Sequence, residues 1–361
     1  MHKVRPRLQL AFIPLGQFGE NALPRFGQCR YDSIHSAQTA HETIKNGNSV
    51  SSKLRYLLGA AACCSLLASC GGGNNTPDPT PTETPTPTPT ETPTPADVTF
   101  DFTEEFEVST VRMYIYAYFT PGTGGDEVFS DGRIINDLGA VAFELDPEAV
   151  LYRFVTTEDI LEFLGTDRVS VSPTERVYEN ASGRLIMETP FENLLRVQLE
   201  KTDPFIRETI PGELRSRRVL LFVKPVETEE AIDTTLAYTG DAEIAGGTSG
   251  TTTFDSITQP SPTFTVTPGT AGPELTGSVP VVVDIGGTPT TVATLDFEAT
   301  LAATGAFAGT AEDAASGFSG QIVGTLAGPD REEMVILFRV VHDDGRKFLG
   351  SFLGQQTAVV P

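Results

Sequence analysis

The chain has no tryptophan, and its four histidines and four cysteines lie almost entirely within the first seventy positions. Beyond Cys70 there is no further cysteine, and His342 is the only histidine. A disulfide framework, a Cys/His zinc site and a Cys–His dyad are therefore excluded from everything that follows Cys70. A Ser-His-Asp triad would have to rest on His342. That residue stands in Val341-His342-Asp343-Asp344-Gly345, a turn-like stretch, and reads as a solvated turn histidine. Positive charge is scarce as well: no Lys or Arg occurs from Asp233 to Asp330. Without residues 1–69 the chain carries 17 Lys and Arg against 45 Asp and Glu, a net charge of −28. Such a chain is repelled by nucleic acid, whose binding rests on neutralising phosphates. It does not adhere directly to anionic headgroups either. Long apolar runs are also missing, since Tyr56 to Leu67 is shorter than the roughly 20 apolar residues a membrane helix needs.

What is present begins with that short apolar segment. Lys53 and Arg55 precede it, and small residues follow it up to Cys70, the order of a secretory signal peptide. Leu67-Ala68-Ser69-Cys70 resembles a bacterial lipobox. The resemblance implies that residues 50–69 are removed and that Cys70 becomes the lipidated first residue, holding the chain at a membrane. Gly71 follows the cysteine rather than Asp, as in lipoproteins released to the outer membrane. Residues 1–49 show no sustained period and a positive balance. They read as a misassigned start, with initiation at Val50, or alternatively as a disordered cytoplasmic extension.

Residues 70–96 form the anchor and a stalk. Between Thr76 and Pro95, proline recurs every two to four residues in a Thr/Pro/Glu repeat. Each proline fixes φ and removes a donor, so the chain favours extended polyproline II. Twenty residues at ~3.1 Å each reach roughly 60 Å.

Residues 97–232 read as a mixed, β-rich domain. Val111 to Phe119 is a strand by composition, alternating Val111, Met113, Ile115, Ala117 and Phe119 with Arg112, Tyr114, Tyr116 and Tyr118. Further strands are expected at 141–145, 151–155, 184–187, 194–199 and 219–223. Thr156 to Leu164 has a Thr cap, early acids, four apolar residues and Gly165 as a stop, which predicts one short helix. Arg207, Arg215, Arg217, Arg218 and Lys224 lie close together, read as a solvated face or as partners for the acidic excess. Residues 233–361 are rich in Gly, Thr and Ala, with turn signals about every ten residues, the pattern of a sandwich or barrel. About eight strands are expected, at 235–244, 251–257, 263–266, 279–285, 291–301, 317–326, 334–342 and 347–353. The fold class is therefore mainly β: a β-rich handle-like domain followed by a small antiparallel barrel of roughly eight strands.

Three pieces of this second half are similar to the transferrin-binding protein B-like surface lipoproteins. Leu220-Leu221-Phe222-Val223, an acidic connector and Ile232 to Gly240 resemble the family's entry into its barrel. Thr294-Leu295-Asp296-Phe297 resembles a barrel strand. The stretch from Gly305 to Gly320 resembles the family's glycine-rich signature, through Gly305, Phe307, Gly309, Ala311, Glu312, Gly317, Phe318 and Gly320. It is one residue short before Ala311, and Ala315-Ser316 stand where the family has two glycines. The resemblance implies a single handle-plus-barrel lobe, non-enzymatic, that captures a protein or an iron- or haem-carrying ligand from the cell surface. A structural envelope protein without a soluble ligand is the alternative. No ligand-contacting residue carries over. Loops at 246–250 and 268–273 are the candidate contact points. Adjacent acids such as Glu104-Glu105, Glu312-Asp313 and Asp343-Asp344 read as solvated faces rather than a glycosidase pair. The sequence nominates no catalytic residue, no cofactor-binding residue and no metal ligand.

Overall fold

A computed structural model describes residues 99–122, 124–250 and 256–357. The lipobox with Cys70, the signal peptide and the Thr/Pro stalk lie outside the described residues, as does most of the strand expected at 251–257.

The first half is built from β1 (Phe106–Thr110), β2 (Met113–Pro121), β3 (Val128–Ile135), β4 (Gly139–Leu145), β5 (Glu148–Arg153), β6 (Leu161–Leu164), β7 (Arg168–Ser172), β8 (Glu175–Asn180), β9 (Gly183–Phe191), β10 (Leu194–Arg207) and β11 (Ile210–Val223). They form a four-stranded sheet in the order β1-β4-β5-β6 and a seven-stranded sheet in the order β3-β2-β11-β10-β9-β8-β7. Phe102, Phe106, Phe143 and Phe163 pack with Met113, Leu185, Val197 and Leu220 in the core between them.

The helix expected over Thr156 to Leu164 is replaced by strand β6 and a 3-10 turn at Gly165–Asp167. Nine residues make too short a helix to stand without tertiary support. The support available has period two: Phe163 pairs with Val150 and is buried, while Glu162 and Leu164 on either side are exposed.

The second half contains β12 (Leu236–Thr248), β13 (Ser256–Thr258), β14 (Thr263–Thr267), β15 (Glu274–Ile285), β16 (Thr288–Leu301), β17 (Ala306–Asp313), β18 (Phe318–Ala327), β19 (Glu333–His342) and β20 (Arg346–Thr357). Successive strands from β14 to β20 pair antiparallel, and β12 pairs with both β14 and β20. The result is a closed eight-stranded barrel, which leaves no free sheet edge in the ring. The expected number of strands is correct, but its membership differs. Among the described residues β13 pairs with β15 alone, beside the ring, and β17 takes its place within it. β17 is Ala-Phe-Ala-Gly-Thr-Ala-Glu-Asp, poor in strand-forming residues; neighbouring strands on both sides, not local propensity, hold it extended.

The barrel interior is filled. Phe264 lies 4.6 Å from Phe352 and 5.3 Å from Phe297 between ring centroids, and Phe297 lies 5.4 Å from Phe338. These side chains share one cluster with Val279, Val281, Leu295, Ile322, Met334 and Ile336. A second layer seals the outer wall of the barrel to the seven-stranded sheet. Tyr114, Tyr116, Leu194, Val219 and Leu221 meet Ala245, Val335, Leu337, Leu349 and Leu353 there. Strands β2, β11, β19 and β20 are thus covered on both faces, which is why β19 reads as a continuous apolar run rather than an alternation.

Candidate functional site

Alternation along three handle strands decides what faces the barrel. In β10, Val197 and Leu199 point into the handle core, so Arg196, Gln198 and Glu200 face the barrel. In β11, Leu220 and Phe222 occupy the handle core, so Arg215 and Arg217 lie on the barrel side. In β2, Met113 and Ile115 do the same, leaving Tyr114, Tyr116 and Tyr118 toward the barrel. Opposite them, Glu243 of β12 and Ser351 of β20 are register partners.

These side chains form one network. The Tyr116 hydroxyl donates to Glu243 at 3.1 Å, and the Tyr114 and Ser351 hydroxyls lie 3.2 Å apart. Glu243 also accepts from Arg217 at 3.0 Å and from Arg196 at 3.3 Å. Each arginine holds a second carboxylate: Arg196 donates to Glu188 at 2.7 Å, and Arg217 is paired with Glu200. Burial works against the Arg196 charge, but Glu188 and Glu243 outweigh it and hold the guanidinium above its usual range. Burial, with the Glu243 charge, pushes the Tyr114 hydroxyl well above the ordinary phenol range. Both tyrosines therefore keep their protons at any physiological pH.

Beside this network a cleft of about 430 Å³ opens between the sheet and the barrel. Arg196, Gln198, Arg217, Asp241, Glu243 and Ser351 supply its polar lining, and Pro190, Phe191 and Leu353 its apolar wall. Gln198 is 5% exposed. Gln259 braces the edge, its amide bonding both the amide and the carbonyl of Ile244. Among the described residues no three His, Cys, Asp or Glu side chains converge as a metal-binding group.

Most of the basic group singled out in the sequence is paired within the molecule. Arg215 grips Glu127 at 2.6 Å, Arg218 grips Glu158 at 2.6 Å, and Arg207 reaches Ser249 at 3.1 Å. The glycine-rich signature lies elsewhere, on the β17–β18 hairpin. Phe307, Ala311 and Phe318 point into the barrel core, Gly305 and Gly317 take positive φ at turns, and Glu312 is exposed. At Gly309 and Gly320 a Cβ would collide with the carbonyl oxygens of Glu298 and Arg339. None of the eight lines the junction cleft. Of the candidate loops, Gly246 to Thr248 belong to β12, and Ser249 donates to the Ser130 carbonyl at 2.6 Å. Residues 268–273 form an irregular turn, exposed over 268–271. His342 ends β19 and accepts from the Asp344 amide at 3.0 Å, within its tight turn.

Arg196, Gln198, Glu243 and Ser351 were not singled out in the sequence. A signal existed for the first two: polar Arg196 and Gln198 alternate with Val197 and Leu199 inside an apolar run, which marks a strand face that meets something other than a core. Glu243 and Ser351 carry no such local mark.

No protein-family model and no curated protein matches the sequence. Solved structures overlap it weakly. Transferrin-binding protein B from serogroup B Neisseria meningitidis shares 12% identity at a TM-score of 0.37, covering 67% of this chain and 43% of its own. A variant of the same protein from Haemophilus parasuis shares 12% at 0.33, covering 64% and 58%. The N-lobe of lactoferrin-binding protein B from Moraxella bovis shares 12% at 0.33, covering 68% and 99%. The chain thus spans about half the length of the first two. Overlaps this low leave its function to be argued from its own residues.

Proposed function

We propose that the chain is a lipid-anchored outer-membrane lipoprotein that presents a fused sheet-and-barrel module on a Thr/Pro stalk for non-enzymatic capture of a partner protein. The anchor reading rests on Leu67-Ala68-Ser69-Cys70 behind its basic and apolar lead, and the display reading on the repeat from Thr76 to Pro95. The observation that carries capture from outside is the filled barrel. Phenylalanines occupy its interior, so the eight strands serve as a rigid support and recognition falls to the outer surface. The second layer of packing joins that support to the handle sheet, so both halves face a partner as one rigid surface. An iron- or haem-carrying protein is the partner class that the sequence resemblance favours. The test is retention of purified mature protein on a panel of immobilised carrier proteins. Retention of one carrier at physiological salt is the expected result. No retained carrier across the panel would contradict the reading.

A further inference from the structure

The junction cleft has a sign. In the lining, Arg196 and Arg217 are matched by Asp241 and Glu243, and Glu188 and Glu200, which stand outside the lining as further partners of the two arginines, make the surrounding network net negative. Both guanidiniums are already occupied by two carboxylates each, so an incoming anion would have to displace Glu243 or its companions. Among the described residues, the acceptors left with capacity in the lining are Asp241 and the Gln198 amide carbonyl; the donors left are Arg217 Nε, which is buried, and the Gln198 amide nitrogen. Asp241 is exposed, and among the described residues it accepts from the Ser261 hydroxyl at 2.6 Å. Gln198, though nine-tenths buried, lines the cleft without a side-chain hydrogen bond to another described residue, so its amide faces the open space. Phe191, Pro190 and Leu353 provide an apolar wall next to these acceptors.

An apolar wall beside an exposed carboxylate, within a network of net negative charge, fits a long aliphatic stem ending in a cation. We propose that the cleft receives a lysine or arginine side chain of the captured protein, its charged head between Asp241 and the Gln198 amide carbonyl, its stem along Phe191 and Leu353. The proposal rests on the reading of the chain as a capture protein and names what that protein recognises. Anchoring by one basic side chain in a desolvated pocket is a common way for an interface to concentrate its binding energy. The chain's charge of −28 outside residues 1–69 adds long-range attraction for a basic partner surface.

The experiment is an NMR titration of the isotope-labelled mature chain, residues 70–361, with Nα-acetyl-arginine amide, Nα-acetyl-lysine amide and the uncharged Nα-acetyl-citrulline amide. Saturable shifts of the Gln198 side-chain amide and of the backbone at 241–243, seen with the two cations and not with citrulline, are expected. Raising the salt concentration weakens them. Asp241→Asn lowers the affinity about three- to fivefold, the worth of one partly exposed ion pair. Gln198→Leu keeps the volume and removes the amide, and it weakens the response read at the backbone of 241–243. Spectra of both variants that superimpose on the parent away from the cleft confirm that each is folded. Equal shifts with citrulline, no shifts at millimolar concentration, or an unchanged response in folded Asp241→Asn would overturn the proposal. Capture of a carrier that both variants retain in full would also overturn it and leave the capture reading standing. Absence of any captured carrier would overturn the capture reading, while the titration still decides what the cleft binds.

Discussion

At the scale of single residues, Glu243 ties the two halves together. It is the shared acceptor for Tyr116, Arg196 and Arg217, three side chains from three strands of the other sheet. Glu243→Gln leaves two half-buried guanidiniums each short of one carboxylate. The expected loss is about 2 kcal/mol, below the 3–5 of a fully buried pair because these groups keep some solvent; urea unfolding measures it. A second buried acid predicts a pH effect. Glu333 is 1% exposed; its Oε1 accepts from the Asn193 amide at 2.9 Å and from Asn193 Nδ2 at 3.2 Å, while Oε2 has no partner among the described residues. Burial pushes its carboxyl upward, Asn193 opposes this, and the Glu332 and Glu192 charges add to the rise. A carboxyl whose folded pKa lies above its unfolded value of about 4.3 holds its proton more tightly when folded. Its stabilising effect is full below that value and is lost as pH rises through the folded pKa. Glu333→Gln should therefore match the parent near pH 4 and melt at a higher temperature by pH 8. A gap that does not widen with pH would refute the assignment.

Asp313 runs in the opposite direction. Its carboxylate accepts from the amides of Thr294, Ala315 and Ser316, at 2.7, 3.0 and 3.0 Å, where Ala315-Ser316 replace a glycine pair of the resembling signature. The Ser316 side chain first, and then these amides, lower its pKa to about 2. The contribution is present above the unfolded value of about 3.9 and is lost as pH falls toward 2. Asp313→Asn should remove that loss from the acid limb of the stability curve and lower the melting temperature at neutral pH.

At the scale of elements, strands with a clean alternation were legible and those held by their neighbours were not. β16 shows Leu295, Phe297 and Leu301 at alternate positions, and the sequence alone places it. β17 offers Phe307 and Ala311 among small residues, and only pairing with β16 and β18 makes it a strand. The helix expected over 156–164 failed for a related reason: its cap and stop signals are local, and pairing of β6 with β5 overrode them. The two faces of β2 were readable, but not that both are buried, because the contacts of Tyr114 come from Ser351, 237 positions away. The junction cleft was unreadable on the same grounds. Gly320 offers a test at this scale. A Cβ there would run into the Arg339 carbonyl across the β18–β19 pair, which is backbone and cannot swing aside. Gly320→Ala is expected to cost more than about 2 kcal/mol, in the range reserved for strain and overpacking.

At the scale of the whole molecule, the packing of handle sheet against barrel joins the two halves of the described residues into one body. Leu349 stands in that layer, beside Gly132 of β3. Leu349→Ala should lower stability by about 2–5 kcal/mol. Because the layer is shared, loss of tyrosine fluorescence and loss of far-ultraviolet circular dichroism should coincide in one urea transition; the absence of tryptophan leaves tyrosine as the natural probe. Two separated transitions would mean that the halves fold independently.

The central claim is that this body is carried on a lipid-anchored stalk at the outside of the cell. Proteinase K treatment of intact cells, followed by mass spectrometry of the released material, tests it most directly. The account predicts release of peptides from 97–361, with the lipid-bearing remnant at Cys70 left in the membrane. Protection of those peptides in intact cells, with cleavage only after the envelope is opened, would contradict it.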